Sequence, residues 1–227
     1  MPDIFDFEGM EWFNIGIGAL LLSFVALIQL FVNLSATTAS INWTLYATYF
    51  GSFFVLGIAY LSKKPLISIL AVISTLFMMF TSFIQLDFVK RGNMMIPTGT
   101  EVYIFSAAIV IVCLALTILD FLFDFTKLNI KNDYILMTPF SMISLWSLFK
   151  LYSGFSALSG LQIVLQILVF VWAVMGAVAV YLSAINKLDD FELGDLTYDN
   201  LAFIVIAIFL IVFLASWTTI GVGLVLV

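Results

Sequence analysis

Leu161–Ala184 reads LQIVLQILVFVWAVMGAVAVYLSA, an uncharged run long enough to cross a bilayer core as a helix. On a helical wheel Gln162, Gln166, Ala173, Gly176, Ala177 and Ala184 fall on one stripe, and Trp172, Met175 and Tyr181 lie off it. Small and amide side chains on one face of an otherwise greasy helix mark a surface turned to protein or water. A connection rich in acidic residues, NKLDDFELGDLTYDN at 186–200, follows.

The rest of the chain has the same character. Of its 227 residues 64% are hydrophobic and 10% charged, with a mean hydropathy of +1.22. Soluble domains carry about 25% charged residues, so this is the composition of a protein dissolved in lipid. Formal net charge is −6, which excludes the basic surface that nucleic acid requires. The acidic residues gather at the N-terminus and after Leu188, as solvated rims do.

Seven segments satisfy the length and apolarity of a spanning helix: 12–33, 43–62, 65–87, 101–124, 134–154, 161–184 and 200–225. They predict an all-α fold, a polytopic transmembrane helix bundle of about seven spans forming a single domain over 1–227. The N-terminal MPDIFDFEGMEW is acidic where a signal peptide is positive, so the first span is expected to be retained. With the N-terminus inside, Lys63, Lys64, Lys127, Lys131 and Lys187 lie on the cytoplasmic face and Lys90, Arg91 and Lys150 outside. That excess of positive charge inside predicts a multi-pass protein of the cell membrane, N-terminus cytoplasmic and C-terminus outside.

Small and hydroxylated residues share a face in other spans too. The first has Asn14, Gly18 and Gln29, and the second Thr48, Gly51, Ser52, Ala59 and Ser62. Ser106, Cys113, Thr117, Asp120 and Asp124 align in the fourth; Thr138, Ser141, Ser144 and Tyr152 in the fifth; Ser216, Thr219 and Gly223 in the seventh. Such faces let helices approach and hydrogen-bond across their seams, or line a watery path.

Charge at depth is scarce. Asp120 and Lys150 lie near the ends of antiparallel spans, hence at opposite membrane faces, and read as interfacial groups. Pro139 reads as a residue of the helix start. No histidine is present and Cys113 is the single cysteine, so the usual metal and haem ligand sets, an intrachain disulfide and a Ser-His-Asp triad are all ruled out. No metal, cofactor or catalytic residue is expected, and the chain does not read as an enzyme.

An uncharged interior suits a neutral permeant. Trp12, Trp43, Tyr103 and Trp217 are placed as interfacial anchors, whereas Trp146 and Trp172 lie deeper. Gln162, Gln166, Trp146, Trp172, Gly176 and Tyr181 are the candidate lining of a substrate path, with the Trp172–Gly176 pair as its constriction.

Two of these helices resemble the AmiS/UreI family of urea and short-chain amide channels. LYATYFGSFFVLGIAYL at 45–61 is similar to that family's first helix, with Tyr49, Gly51 and Gly57 at matching positions. The run from Trp172 through Gly176 to Ala184 resembles its fifth, where a Trp precedes a Gly by four. The chain departs from the pattern in its additional first span, in Leu56 where the family has Asn, and in a last span without Glu. The resemblance implies a channel or facilitator for small uncharged polar solutes such as urea or short amides, working as a homo-oligomer in the lipid bilayer. A different expectation also fits the composition: a non-catalytic subunit held among partners in a larger membrane complex.

Overall fold

The computed structural model describes residues 7–35, 40–90, 99–124, 127–128, 133–154, 160–185, 192–193 and 196–197. They form six helices: α1 (Phe7–Ser35), α2 (Ser40–Ser62), α3 (Pro65–Lys90), α4 (Gly99–Phe123), α5 (Asp133–Gly154) and α6 (Gly160–Ala184). A two-residue antiparallel ladder, β1 (Glu192–Leu193) with β2 (Leu196–Thr197), lies in the acidic connection. The expected seventh span lies outside the described residues. Each helix begins or ends one to five residues beyond its apolar segment, because backbone hydrogen bonding continues after apolarity stops, and α4 stops one residue short of its expected end.

Within α2 to α5, Thr44–Ser62, Pro65–Ser82, Glu101–Phe123 and Tyr134–Tyr152 are long and apolar enough to cross a membrane. Shorter apolar runs occupy Ile15–Phe31 of α1 and Gln166–Leu182 of α6. The fold is an all-α bundle built for lipid, and α4 shows why. Its inward stripe is Tyr103, Ser106, Ala107, Val110, Cys113, Thr117 and Asp120, mostly small or polar. Its outward face is Ile104, Phe105, Ile111, Val112, Leu116, Leu119 and Leu122, with Phe105 61% exposed. Water penalises that arrangement and hydrocarbon does not. Tyr103, expected as an interfacial anchor, is instead buried, since it shares the inward face with residues three, four and seven positions on.

α2 is the central helix, packed by α1, α3, α4 and α5, while α6 packs mainly on α5. The α1–α2 seam is set by a reciprocal glycine contact. A Cβ on Gly16 would meet Leu61 Cγ at 2.8 Å and the Gly57 carbonyl oxygen at 3.1 Å; one on Gly57 would meet Leu20 Cγ at 2.7 Å and the Gly16 carbonyl oxygen at 3.0 Å. Each glycine thus receives the leucine that lies four residues beyond the other, and the two backbones touch. Between α2 and α3, Ser52 donates to the Ser74 carbonyl at 2.8 Å, and the Tyr49 and Ser82 hydroxyls are hydrogen-bonded.

The α2–α3 turn follows from SKKP. Lys63 adopts a left-handed conformation, φ 51°, and its N–H returns to the Ala59 carbonyl at 2.9 Å, closing α2. The Lys64 carbonyl then accepts the Ser68 N–H at 2.9 Å and Pro65 takes the first helical position, where no N–H is needed. α4 ends in the same way at Asp124, φ 48°, whose N–H meets the Asp120 carbonyl at 3.0 Å.

α5 departs from expectation in two respects. Pro139 lies in the helix interior, six residues after Asp133, so it returns no N–H to the Ile135 carbonyl. The hydroxyl stripe is not the buried face either: Thr138 and Tyr152 are exposed, and Leu136, Phe140, Ile143, Trp146, Ser147 and Lys150 point inward. Thr138 donates to the Tyr134 carbonyl at 3.0 Å, Ser141 to Met137 at 3.0 Å and Ser144 to Ser141 at 2.8 Å. A hydroxyl satisfied by its own helix has no need of an interior seat.

Candidate functional site

Phe140 is the point where three helices meet. Its ring lies 4.7 Å from the Trp172 ring at 62°, edge to face, and 4.8 Å from the Tyr60 ring at 58°. A Cβ on Gly176 would come within 2.6 Å of the same ring. Trp172 and Gly176, one turn apart on α6, therefore form the seat of an α5 phenylalanine. The Tyr60 hydroxyl donates to the Leu136 carbonyl one turn earlier on α5, which ties α2 to the junction. The spacing that suggested a constriction is a packed wall here, since an aromatic ring needs the missing glycine side chain to approach so closely.

The other expected lining residues separate. Tyr181 is 49% exposed and faces away from the bundle. Gln162 belongs to the first turn of α6, and its side chain lies outside the described residues. Trp146 and Gln166 are both buried and lie toward one end of the bundle. The antiparallel α5–α6 pairing sets their common level. Gln166 precedes Trp172 by six residues, as Trp146 follows Phe140 by six.

At this end lies Lys150, which sequence reasoning placed at the interface. It has no exposed surface, and its Nζ lies 4.6 Å from the centroid of the Trp146 ring. Lys150 is four residues after Trp146 and seven after Ile143, so it continues the inward stripe and its short reach to solvent is blocked by neighbouring helices. That spacing was the available signal. The Trp146 ring packs 6.3 Å from Tyr49, and Ser82, which accepts from Tyr49, donates to the Met78 carbonyl at 2.8 Å. With the single Ser82 hydrogen committed to Met78, the Tyr49 hydroxyl is the donor to Ser82.

Trp146 Nε1, Ser147 Oγ, Lys150 Nζ and Gln166 Nε2 are buried and have no hydrogen-bond partner among the described residues. Indole, ammonium and amide nitrogens only donate. Each buried polar group without a partner costs about 1–3 kcal/mol on the mutational scale, and an unpaired ion more. Structures keep such groups where a ligand or a mechanism uses them. The chemistry on offer is a donor-rich end of the bundle, suited to a carbonyl or carboxylate oxygen.

The opposite end carries different chemistry. Lys64 Nζ donates to the Asp120 carbonyl at 2.8 Å and pairs with Asp124 Oδ1 at 2.9 Å. It caps the C-terminus of α4, where the helix dipole favours a cation. The hydrogen bond from Lys64, its charge and that of Lys127 hold the Asp124 carboxyl below its usual range. Asp120 and Lys150 thus stand at opposite ends of the bundle, as their antiparallel helices require.

No family model, curated protein or solved structure matches this chain. The likeness to amide and urea channels rests on Tyr49, Gly51, Gly57, Trp172 and Gly176 alone. Of these, Gly57 serves the α1–α2 seam, and Trp172 and Gly176 receive Phe140.

Proposed function

We propose that the protein is a membrane facilitator for small polar solutes with an exposed acceptor oxygen, such as urea or short amides. The solute is handled at the Trp146–Lys150–Gln166 end, not at Trp172–Gly176. The observation that carries this reading is the set of buried donor nitrogens without partners among the described residues. A urea or amide carbonyl supplies the acceptor they lack, at a depth where water competes weakly.

Stopped-flow swelling of proteoliposomes tests it. Urea and acetamide permeability is expected to exceed that of empty liposomes, to fall in Lys150→Met and Gln166→Leu, and to be insensitive to Tyr181→Phe. Permeability equal to empty liposomes for urea, acetamide and glycerol removes the reading. The outward faces of α4 and α5 suit lipid and partner helices alike, so native mass after gentle extraction distinguishes a homo-oligomeric facilitator from a subunit of a hetero-complex.

A further inference from the structure

We propose that Lys150 is the charge filter of the solute site, a tethered cation that admits a neutral urea or amide and refuses positively charged molecules of the same shape. The inference rests on the facilitator reading and adds to it what the site excludes. Urea and guanidinium are both small, flat and rich in N–H groups, so pore walls separate them poorly by size. A fixed charge separates them at once.

The side chain is buried and uncompensated. Lys150 has no exposed surface, and no described residue gives its Nζ a hydrogen bond or an opposite charge. Asp120 and Asp124 stand at the Lys64 end, and Glu101 is exposed on α4, whereas the helices packed chiefly on α5 are α6, α3 and α2. A charge shielded from water and salt acts beyond contact, so a solute need not touch Nζ to be sorted by it. At about 8 Å and an effective dielectric of about 20, two unit charges repel enough to lower a cation's occupancy about thirtyfold, and a neutral solute is spared.

The surroundings reinforce the sign. Nζ lies 4.6 Å from the centroid of the Trp146 ring, and the Tyr49 ring stands 6.3 Å from that indole. Aromatic faces attract passing cations, and here the protein's own ammonium already holds the tryptophan face. Gln166 belongs to the stripe of α6 that carries buried Val169, Trp172 and Ala173, the stripe that meets α5. Its Nε2 and Trp146 Nε1 are buried donors without partners among the described residues, which favours an acceptor oxygen and disfavours a second cation.

The experiment uses the full chain in proteoliposomes at pH 6, where a lysine carries its charge. Exchange of radiolabelled urea and guanidinium is followed with equal concentrations on both sides, so that no voltage builds up. The guanidinium-to-urea ratio is expected to be about one thirtieth or less in the parent chain. Lys150→Met is expected to raise that ratio about tenfold or more even as urea exchange itself falls, and Lys150→Arg, which restores the charge, to keep it low. A ratio is independent of how much protein folds, so a purely structural role for Lys150 leaves it unmoved. A parent chain that exchanges guanidinium as readily as urea, a ratio unchanged in Lys150→Met, or one as high in Lys150→Arg as in Lys150→Met overturns the filter alone. Urea exchange no faster than in empty liposomes removes the facilitator reading and the filter with it.

Discussion

Replacing Lys150 by Met should stabilise the fold while impairing function, and the two signs can be worked separately. The side chains have similar length and volume, so the Met methyl occupies the position of Nζ without opening a cavity. What is lost is the contact of Nζ with the Trp146 ring at 4.6 Å, worth about 2 kcal/mol when desolvated. What is gained is relief from burying an ion that no described residue pairs, a cost of several kcal/mol even after relaxation, on the order of twice the cation–π term. The net expectation is a gain of about 1–3 kcal/mol, the size of one unmet buried polar group. Reversible unfolding in mixed micelles, followed by circular dichroism, reads it directly. Proteoliposome swelling on the same preparation should show reduced urea flux. A loss of stability greater than about 1 kcal/mol would refute the reasoning, because removing one partner of a satisfied buried pair costs about 3–5 kcal/mol.

Further outcomes follow from other contacts. Gly57→Ala drives a methyl against Leu20 and the Gly16 carbonyl, and should cost about 1–3 kcal/mol in the same unfolding assay, with Leu20→Ala in the same chain restoring only part because the carbonyl contact remains. Phe140→Ala empties the junction of Tyr60, Trp172 and Gly176 and should cost about 3–5 kcal/mol by thermal or denaturant unfolding. Asp124 has a depressed folded-state pKa, so its contribution is present above the unfolded carboxylate value near 3.9 and is lost as pH falls through the lower folded one. Stability measured against pH should therefore drop less steeply below about pH 4 in Asp124→Asn than in the parent chain. If the Lys64 end faces the cytoplasm, then in a Cys113→Ala background a cysteine at Lys127 should react with impermeant maleimide only after the membrane is opened, and one at Tyr152 should react in intact cells.

The positions of the first six helices were legible because apolar length alone dictates them: a backbone in hydrocarbon must satisfy its hydrogen bonds within the segment. Most of the polar stripes of α2, α4 and α6 were legible because small and polar side chains pack against helices and not against lipid: Thr48, Ser52, Ser106, Cys113, Thr117, Gln166 and Ala173 turn inward, whereas Asp124, at the end of the α4 stripe, is exposed. α5 was not. Its hydroxyls bond to their own helix, so polarity gave the wrong face, and Pro139 lies six residues into the helix that starts at Asp133, beyond the first turn in which a proline needs no N–H. Half of the candidate site was visible as Trp146 and Gln166. Lys150 was misplaced because sequence shows that a lysine lies near a helix end but not whether a neighbouring helix closes its route to solvent.

Composition by itself determined that this chain dissolves in lipid as a bundle of helices, because the bilayer leaves a continuous apolar backbone no other hydrogen-bonded solution. Which residues meet was decided only by tertiary packing. Trp172 and Gly176 keep their spacing on α6 whether they border an opening or receive a ring, and it is the rotation of α5, bringing in Phe140 from 32 residues away and Lys150 ten residues further on, that makes the first a wall and the second a buried cation.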